Sequence, residues 1–306
     1  MNFLIDESSR YYFWQSAFRR FCRDRLAILG SVVLLIIILG VAIGPWVYQT
    51  PIDKIDFSQM AALPSWQHPL GTNDLGQDQL ARLLVGGRIS LAVGITAMLV
   101  AMVLGTIIGA IAGFYGGLID TILMRLTDLF LSLPQLPLLL LVVYLFRDSI
   151  KAIAANIPLV TAPSEVGIFL LVVLMIGGLN WMSLARLVRA DILKLREMEF
   201  VSAATAMGAR PRRIIWTHLF PNVFNVIIVA ATLAVGNAII TESTLSFLGL
   251  GFPPDVPTWG QMLYSAKDYL TSAPQMVFFP GLAIFLTVLS INYIGDGLRD
   301  ALDPKR

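Results

Sequence analysis

Six long uncharged runs alternate with polar segments along this chain of 306 residues. The runs cover residues 26–52, 89–119, 129–146, 166–185, 214–241 and 269–295. Each run reaches or approaches the roughly 20 residues that an α-helix needs to cross the hydrocarbon core of a bilayer. The pattern therefore predicts an all-α, polytopic membrane protein with six transmembrane helices, at residues 26–47, 89–113, 132–146, 166–187, 223–244 and 276–294.

The composition and the distribution of charge agree with this pattern. With 57% hydrophobic and 14% charged residues, the chain is too apolar for an ordinary soluble protein of this length. With a cytoplasmic N-terminus, 16 of the 22 Lys and Arg residues fall in segments on the cytoplasmic side, which favours both termini in the cytoplasm. The basic residues lie in loops, so the net charge of +2 gives no indication of nucleic-acid binding.

The polar segments divide the chain into four parts. Residues 1–25 carry basic and aromatic side chains, which are typical of an amphipathic helix on the cytoplasmic membrane surface. Residues 26–47 are too long for the apolar core of a cleaved signal peptide and are predicted to be a retained first span. Residues 48–87 are predicted to form an external segment, and residues 88–302 a core of five spans.

The second predicted span carries glycines at four-residue spacing, Gly105, Gly109 and Gly113. Such a face lets the backbone of a neighbouring helix approach closely. The neighbour is expected to be another helix of this chain or a helix of a partner subunit. Residues 114–133, which follow, contain charged side chains and are predicted to be a short inner connection.

Residues 199–221 interrupt the apolar second half of the chain with a segment that could not lie in lipid. Its first half is rich in alanine and predicts a short helix, with Glu199 at the positive end of the helix dipole. Gly208 fits a left-handed helix stop, and Pro211 fits the first turn of a second short helix. Around Ala203 the first helix has a face with little bulk, which suits docking in a groove of another protein.

The spacing in this segment resembles the cytoplasmic signature of ABC-transporter permease subunits, E-x-x-x-A-A-x-x-x-G-x9-I-x-L-P. The matching residues are Glu199, Ala203, Ala204, Gly208 and Pro221. In that family this loop is the coupling helix that docks into the ATPase subunit, so the resemblance implies the same role here, with Arg212 and Arg213 in the same loop. His218 and Phe220 stand where the pattern has Ile and Leu. The alternative is an ordinary basic loop between two membrane helices.

A second resemblance extends the first to most of the chain. Residues 68–91, HPLGTNDLGQDQLARLLVGGRISL, are similar to the segment that opens the core of peptide-type ABC permeases, H-P-x-G-T-D-x-x-G-R-D followed by R-L and G-x-R-x-S-L. Asn73 and Gln77 replace an acid and a base of that pattern, and we hypothesise that they changed as a compensating pair. The ending GDGLRDALDPKR also resembles this family, whose second (C-type) permease is the most similar subunit.

The resemblance implies the type I ABC importer permease fold and one membrane subunit of a bacterial inner-membrane importer for dipeptides or oligopeptides. Besides the lipid bilayer, it implies three kinds of partner: a second homologous permease, two ABC ATPase subunits and an extracytoplasmic solute-binding protein. Members of this family also carry nickel chelates and some sugars, so the cargo stays open between these classes.

The sequence contains no pattern typical of an enzyme or a nucleotide-binding protein. The motifs G-x-x-x-x-G-K-[ST], G-x-S-x-G and H-E-x-x-H are all absent. A single cysteine excludes a multi-thiolate metal site, and two histidines leave little material for a histidine site. We therefore expect no cofactor in this chain, with ATP and Mg²⁺ bound by the ATPase partners. A secondary transporter or an intramembrane enzyme would need ionisable or catalytic groups at depth, and the predicted spans are nearly free of them.

Three polar residues fall at membrane depth and are candidates for lining the translocation path: Glu242, Asn225 and Asn237. An ionisable group such as Glu242 needs a cavity or a partner there. Its alternative role is to fix the following outer loop through backbone N–H groups. For Asn225 and Asn237 the alternative is buried hydrogen bonding between helices.

Overall fold

The computed structural model describes residues 15–155 and 163–303, and the regular structure of these residues is helical. The helices are α1 (Arg25–Val47), α2 (Gln79–Tyr115), α3 (Gly117–Ser132), α4 (Gln135–Ala155), α5 (Pro163–Arg196), α6 (Glu199–Ala206), α7 (Pro211–Phe247), α8 (Trp259–Ala266) and α9 (Gln275–Leu302). This confirms the predicted all-α class. Predictions for residues 1–14, 156–162 and 304–306 lie outside the described residues.

Five of these helices are long and apolar enough to cross a membrane: α1, α2, α5, α7 and α9. The helices α3 and α4 pass the same test only together, and they are bent by 86° at the break between them. Five of the six predicted spans therefore correspond to long helices, and the third corresponds to a bent helix pair that has the form of a broken span or a re-entrant loop. The span predicted at 132–146 straddles the break, and residues 117–132, predicted to be part of a connection, form α3.

The break between α3 and α4 falls at Leu133 and Pro134. A proline disfavours the helical conformation of the residue before it, and Leu133 is extended, with a ψ angle of 137°. Proline also lacks the N–H that would continue the hydrogen-bond ladder of α3. For these reasons α4 starts as a separate helix at Gln135.

The helices α2 and α5 pack backbone to backbone through the predicted glycine face. A Cβ atom added to Gly105 would lie 2.8 Å from the carbonyl oxygen of Trp181, and one added to Gly109 would lie 2.5 Å from that of Ala185. Both distances are too short for a side chain. The glycines therefore serve packing within this chain, which is the first of the two predicted uses.

Ion pairs connect α3 to α5 near the end of the bundle that carries α6, here named the α6 end. Arg189 of α5 holds Asp120 of α3 through two hydrogen bonds. One helical turn before it in α5, Arg186 pairs with Asp128. These contacts explain why the charged residues of 114–133 lie in a helix, because each carboxylate has a guanidinium partner.

Two buried polar residues stabilise the opposite end of the bundle, which carries α8 and is here named the α8 end. Arg82 of α2 donates hydrogen bonds to the carbonyl oxygens of Ile52 and Pro254, at 3.2 and 2.9 Å, and so joins two segments distant in sequence. Asp78 caps the N-terminus of α2. Because α2 begins directly after this cap, residues 79–87 of the predicted external segment are helical.

Candidate functional site

The helix α6 lies on the surface of the α6 end with one face buried and one face exposed. Val201 and Ala204 are only 4% and 3% exposed. They share a core cluster with residues of α5 and α7: Leu184, Val188, Ile192, Ile214, Leu219, Val223 and Ile227. Ala203 and Met207 are exposed, Met207 to 82%. Ala204 therefore holds the helix in place, whereas small Ala203 and flexible Met207 form a face that suits a groove in another protein.

The turn after α6 has the geometry that the sequence predicts. Gly208 has a φ angle of +78°, in the left-handed region. Its N–H donates to the carbonyl oxygen of Thr205, and the N–H of Ala209 donates to that of Ala204, which is the Schellman pattern of helix termination. Pro211 then occupies the first turn of α7. The predicted stop and restart are both confirmed.

The predicted second short helix is instead the beginning of a spanning helix, because α7 runs from Pro211 to Phe247. Residues Ile214–Leu219 form a π-helical turn, in which the N–H of Phe220 bonds to the carbonyl oxygen of Ile215. This turn ends two residues before Pro221, whose missing N–H disturbs the ordinary ladder. Residues 199–213, here named the α6 loop, contain α6 and the first residues of α7. A helix of 37 residues is about 55 Å long, so α7 connects the α6 loop with the α8 end.

Aromatic contacts accompany the two departures from the permease signature. The ring of Phe220 lies between those of Trp216 and Phe224, with centroid distances of 5.2 and 5.9 Å. The ring of His218 lies 6.4 Å from that of Phe200 in α6. Phe220 therefore packs against aromatic rings along α7, whereas His218 lies next to a ring of α6.

The charged residues of the loop lie at the starts of its two helices. Glu199 is exposed in the first turn of α6, where the sequence places it to interact with the helix dipole. Arg212 and Arg213 are exposed in the first turn of α7. The loop thus presents a basic surface beside the small-residue face of α6.

Glu242 is fully buried in α7, close to the α8 end. The hydroxyl of Ser246 donates to its Oε1 at 2.8 Å, and the hydroxyls of Ser90 and Ser243 lie 3.3 and 3.5 Å from its Oε2. Ser90 in turn accepts the backbone N–H of Trp259 at 3.2 Å, which connects α2, α7 and α8. These partners are hydroxyl groups rather than the expected N–H groups. They support a role in fixing this end, and a role of Glu242 in the translocation path stays a prediction.

The two asparagines of α7 differ in their surroundings. Asn225 is half-buried, whereas Asn237 is exposed. The Nδ2 of Asn237 donates to the Oδ1 of Asn180 in α5 at 3.3 Å, and the Nε2 of Gln135 in α4 donates to the same oxygen at 3.4 Å. Asn180 and Gln135 were not predicted, although they carry the signal that identified Asn225 and Asn237, an amide side chain inside an apolar run. Their place in a path stays a prediction.

Asn73 and Gln77 contact each other in the buried turn before α2. The Nδ2 of Asn73 donates to the Oε1 of Gln77 at 2.8 Å, and the backbone N–H of Gln77 donates to the Oδ1 of Asn73 at 2.8 Å. A compensating pair requires such direct contact. The structure therefore supports the hypothesis that the two residues changed together.

Asp78 also connects the end of α1 to the start of α2. Its Oδ2 accepts a hydrogen bond from the hydroxyl of Tyr48 at 2.8 Å and lies 2.7 Å from the Nδ1 of His68. Burial, with the nearby carboxylate, raises the pKa of Tyr48 above its ordinary value.

These features define a multi-spanning membrane protein with a short surface helix that has one buried and one exposed face. Residues 105–306 match the family described as the binding-protein-dependent transport system inner membrane component, and residues 13–65 match the N-terminal TM domain of oligopeptide transport permease C. The chain therefore belongs to this family of inner membrane transport components, and the predicted resemblance to ABC-transporter permeases of the oligopeptide type is confirmed.

Individual relatives cover nearly the whole chain. The oligopeptide transport system permease protein OppC of Escherichia coli (strain K12) is 40% identical over 95% of this chain and 91% of its own length. OppC of Haemophilus influenzae is 38% identical, with coverages of 95% and 88%. The dipeptide transport system permease protein DppC of Alkalihalophilus pseudofirmus is 39% identical, with coverages of 95% and 90%.

Proposed function

We propose that this chain is a membrane-spanning subunit of an ATP-driven importer of dipeptides or oligopeptides. The observation that carries the proposal is the α6 loop, with one face packed on the bundle, one face of small exposed side chains, and a Schellman turn leading into a spanning helix. The names of the relatives, which are oligopeptide and dipeptide permeases, support the same substrate class.

The importer contains three further kinds of subunit. A second homologous permease completes the translocation path, two ATPase subunits bind ATP and Mg²⁺, and an extracytoplasmic solute-binding protein delivers the cargo. Family membership supports these partners, since members are described as components of binding-protein-dependent systems. The chain itself acts in transport and not as an enzyme.

The protein lies in the bacterial inner membrane with both termini in the cytoplasm. The α6 end is then cytoplasmic and the α8 end extracytoplasmic. The basic residues support this orientation, because Arg186, Arg189 and Arg196 of α5 and the exposed Arg212 and Arg213 all belong to the α6 end.

Mechanical coupling follows from the continuity of α7. When the ATPase subunits bind ATP and close, they displace α6, and the turn at Gly208 transmits the displacement to α7. Because α7 reaches the Glu242 contacts at the opposite end, movement of the loop reorients the core of the bundle. Such coupling requires that α6 contact the two ATPase states differently.

Import of nickel chelates or sugars by an ABC importer of the same type is the second candidate function, since the α6 loop does not determine the class of cargo. A peptide cargo is preferred because the three relatives described above are named as oligopeptide or dipeptide permeases. An ATP-independent secondary transporter is less well supported, because it leaves the exposed basic loop without a partner.

A pull-down with the co-expressed ATPase subunits tests the proposal. Ala203→Trp adds bulk to the exposed face of α6, whereas Gln49→Trp adds the same bulk to an exposed position just after α1. The wild type and the Gln49 variant are expected to retain the ATPase subunits, and the Ala203 variant to lose them. Equal retention by all three proteins contradicts docking through α6.

A further inference from the structure

Four amide side chains from four helices lie at one level of the bundle. Asn180 of α5 accepts hydrogen bonds from Gln135 of α4 and Asn237 of α7, at 3.4 and 3.3 Å. The fourth is Asn292 of α9, whose Oδ1 lies 3.7 Å from where a Cβ on Gly236, the neighbour of Asn237, would stand. We name Gln135, Asn180, Asn237 and Asn292 the amide belt.

The amide belt lies at membrane depth and is open to the surroundings. Asn180 is near the middle of α5, and Gln135 is at the bend between α3 and α4. Gln135, Asn237 and Asn292 are exposed, and Asn180 is half-buried. Amide groups do not face hydrocarbon without cost, because lipid tails cannot satisfy their hydrogen bonds. The helix break between α3 and α4, next to Gln135, is irregular backbone at the same depth. Such backbone is tolerated where protein buries it or where it lines a water-filled cavity.

The exposed surface of α1 contrasts with the amide belt in its chemistry. Leu35, Ile36 and Leu39 of α1 are 54%, 64% and 46% exposed, and they belong to an apolar, uncharged span. A surface of this kind suits contact with lipid tails. The exposed amides occur instead on α4, α7 and α9, where a partner or an aqueous path must satisfy them.

We propose that the amide belt lines the translocation path and hydrogen-bonds the backbone amides of a peptide in transit, an inference that rests on the proposed function. Gln135 and Asn237 both donate to one oxygen of Asn180, which leaves the Oε1 of Gln135 and the Oδ1 of Asn237 without a partner among the described residues. A side-chain amide offers the same donor and acceptor as a peptide bond. Because amides carry no charge, the belt accepts peptides regardless of the charge of their side chains.

Accessibility to water is the first test, and the chain suits it because Cys22 is its single cysteine. In a Cys22→Ser background, Asn237→Cys and the lipid-facing control Ile36→Cys are compared in the complete transporter in membrane vesicles. A charged, membrane-impermeant thiol reagent reacts with the thiolate, which forms poorly in apolar surroundings. We expect labelling of Asn237→Cys at least about tenfold faster than that of Ile36→Cys. Equal rates, or protection of Asn237→Cys by the second permease, overturn the proposal.

Transport of trialanine is the second test, in the reconstituted complete transporter. Asn180→Leu, Asn237→Leu and Asn292→Leu each remove hydrogen-bonding groups from the belt, and Gln49→Leu is the control outside it. Since a hydrogen bond contributes modestly in net terms, we expect each belt variant to lower uptake at subsaturating trialanine about two- to tenfold, with subunit assembly unchanged. Unchanged uptake, or a loss explained by failed assembly, overturns the proposal.

The two tests separate this inference from the proposed function. If the wild-type transporter shows ATP-dependent uptake of trialanine and the belt variants take it up equally well, the proposed role of the amide belt is wrong, whereas the proposed function as a peptide importer is supported. If the wild type takes up no peptide, the proposed function fails and, with it, the assignment of peptide to the belt. Labelling of Asn237→Cys does not depend on the cargo, so slow labelling overturns the aqueous path in either case.

Discussion

Replacing Gly208 by valine tests the connection between α6 and α7 with little risk to the rest of the fold. A Cβ at this position would meet no atom within 4 Å, so the substitution causes no clash. The cost arises from the backbone, because φ is +78° and an L-residue in the left-handed region loses about 1–2 kcal/mol. Relaxation of φ breaks the two Schellman hydrogen bonds, each contributing about 1 kcal/mol. The turn is therefore expected to lose its geometry while the bundle, held by other contacts, remains inserted.

The assay is ATP-driven uptake by the assembled transporter, with membrane insertion and ATPase activity measured alongside. Gly208→Val is expected to abolish most uptake while ATP hydrolysis and insertion persist. Gly208→Asn is a matched control, since Asn tolerates the left-handed region. Gly40→Val is a second control, because Gly40 also has no atom within 4 Å of an added Cβ and has no positive φ. Uptake by Gly208→Val at the native rate would refute the idea that this turn transmits the movement.

Substitutions at three positions probe the α8 end. Asn73→Asp and Gln77→Arg each place an unpaired charge in a buried contact, and together they restore the acid and base of the peptide-permease pattern. We therefore expect the double variant to be more stable and more active than either single variant. Stability is measured as Tm in detergent and activity as uptake. Glu242→Leu leaves the hydroxyls of Ser90 and Ser246 without their carboxylate, so it is expected to lower stability by about 1–3 kcal/mol per unsatisfied group, measured by thermal unfolding. Glu242→Gln, which keeps an acceptor, is expected to cost less; a variant with normal stability and altered uptake would instead indicate a role in the path.

Those parts of the structure that depend on local rules were predictable from the sequence. Uncharged runs of bilayer length identify α1, α2, α5, α7 and α9, because a spanning helix must satisfy its backbone internally. The stop at Gly208 and the restart at Pro211 follow from backbone preferences of single residues. The glycine face of α2 was likewise readable, although the sequence left its partner open.

The remaining features depend on contacts between residues distant in sequence. The carboxylates of α3 interrupt an apolar run, and their guanidinium partners in α5 lie more than 50 residues away in the sequence. Ser90 lies 152 residues from Glu242, so the hydroxyl partners of that carboxylate have no local signal. The π-helical turn at Ile214–Leu219 was not predicted. The continuity of α7 was not predicted either, because the basic residues and Pro221 at its start are typical of a loop.

Site-directed cross-linking from Ala203 tests the central claim most directly. In a Cys22→Ser background, Ala203→Cys carries a thiol-linked photoreactive group on the exposed face of α6 in the complete transporter. A covalent adduct with an ATPase subunit is expected. In a separate sample without the photoreactive group, the Ala203→Cys thiol is expected to react with an impermeant reagent only from the cytoplasmic side. An adduct with the solute-binding protein, or reaction from the opposite side of the membrane, would contradict the central claim.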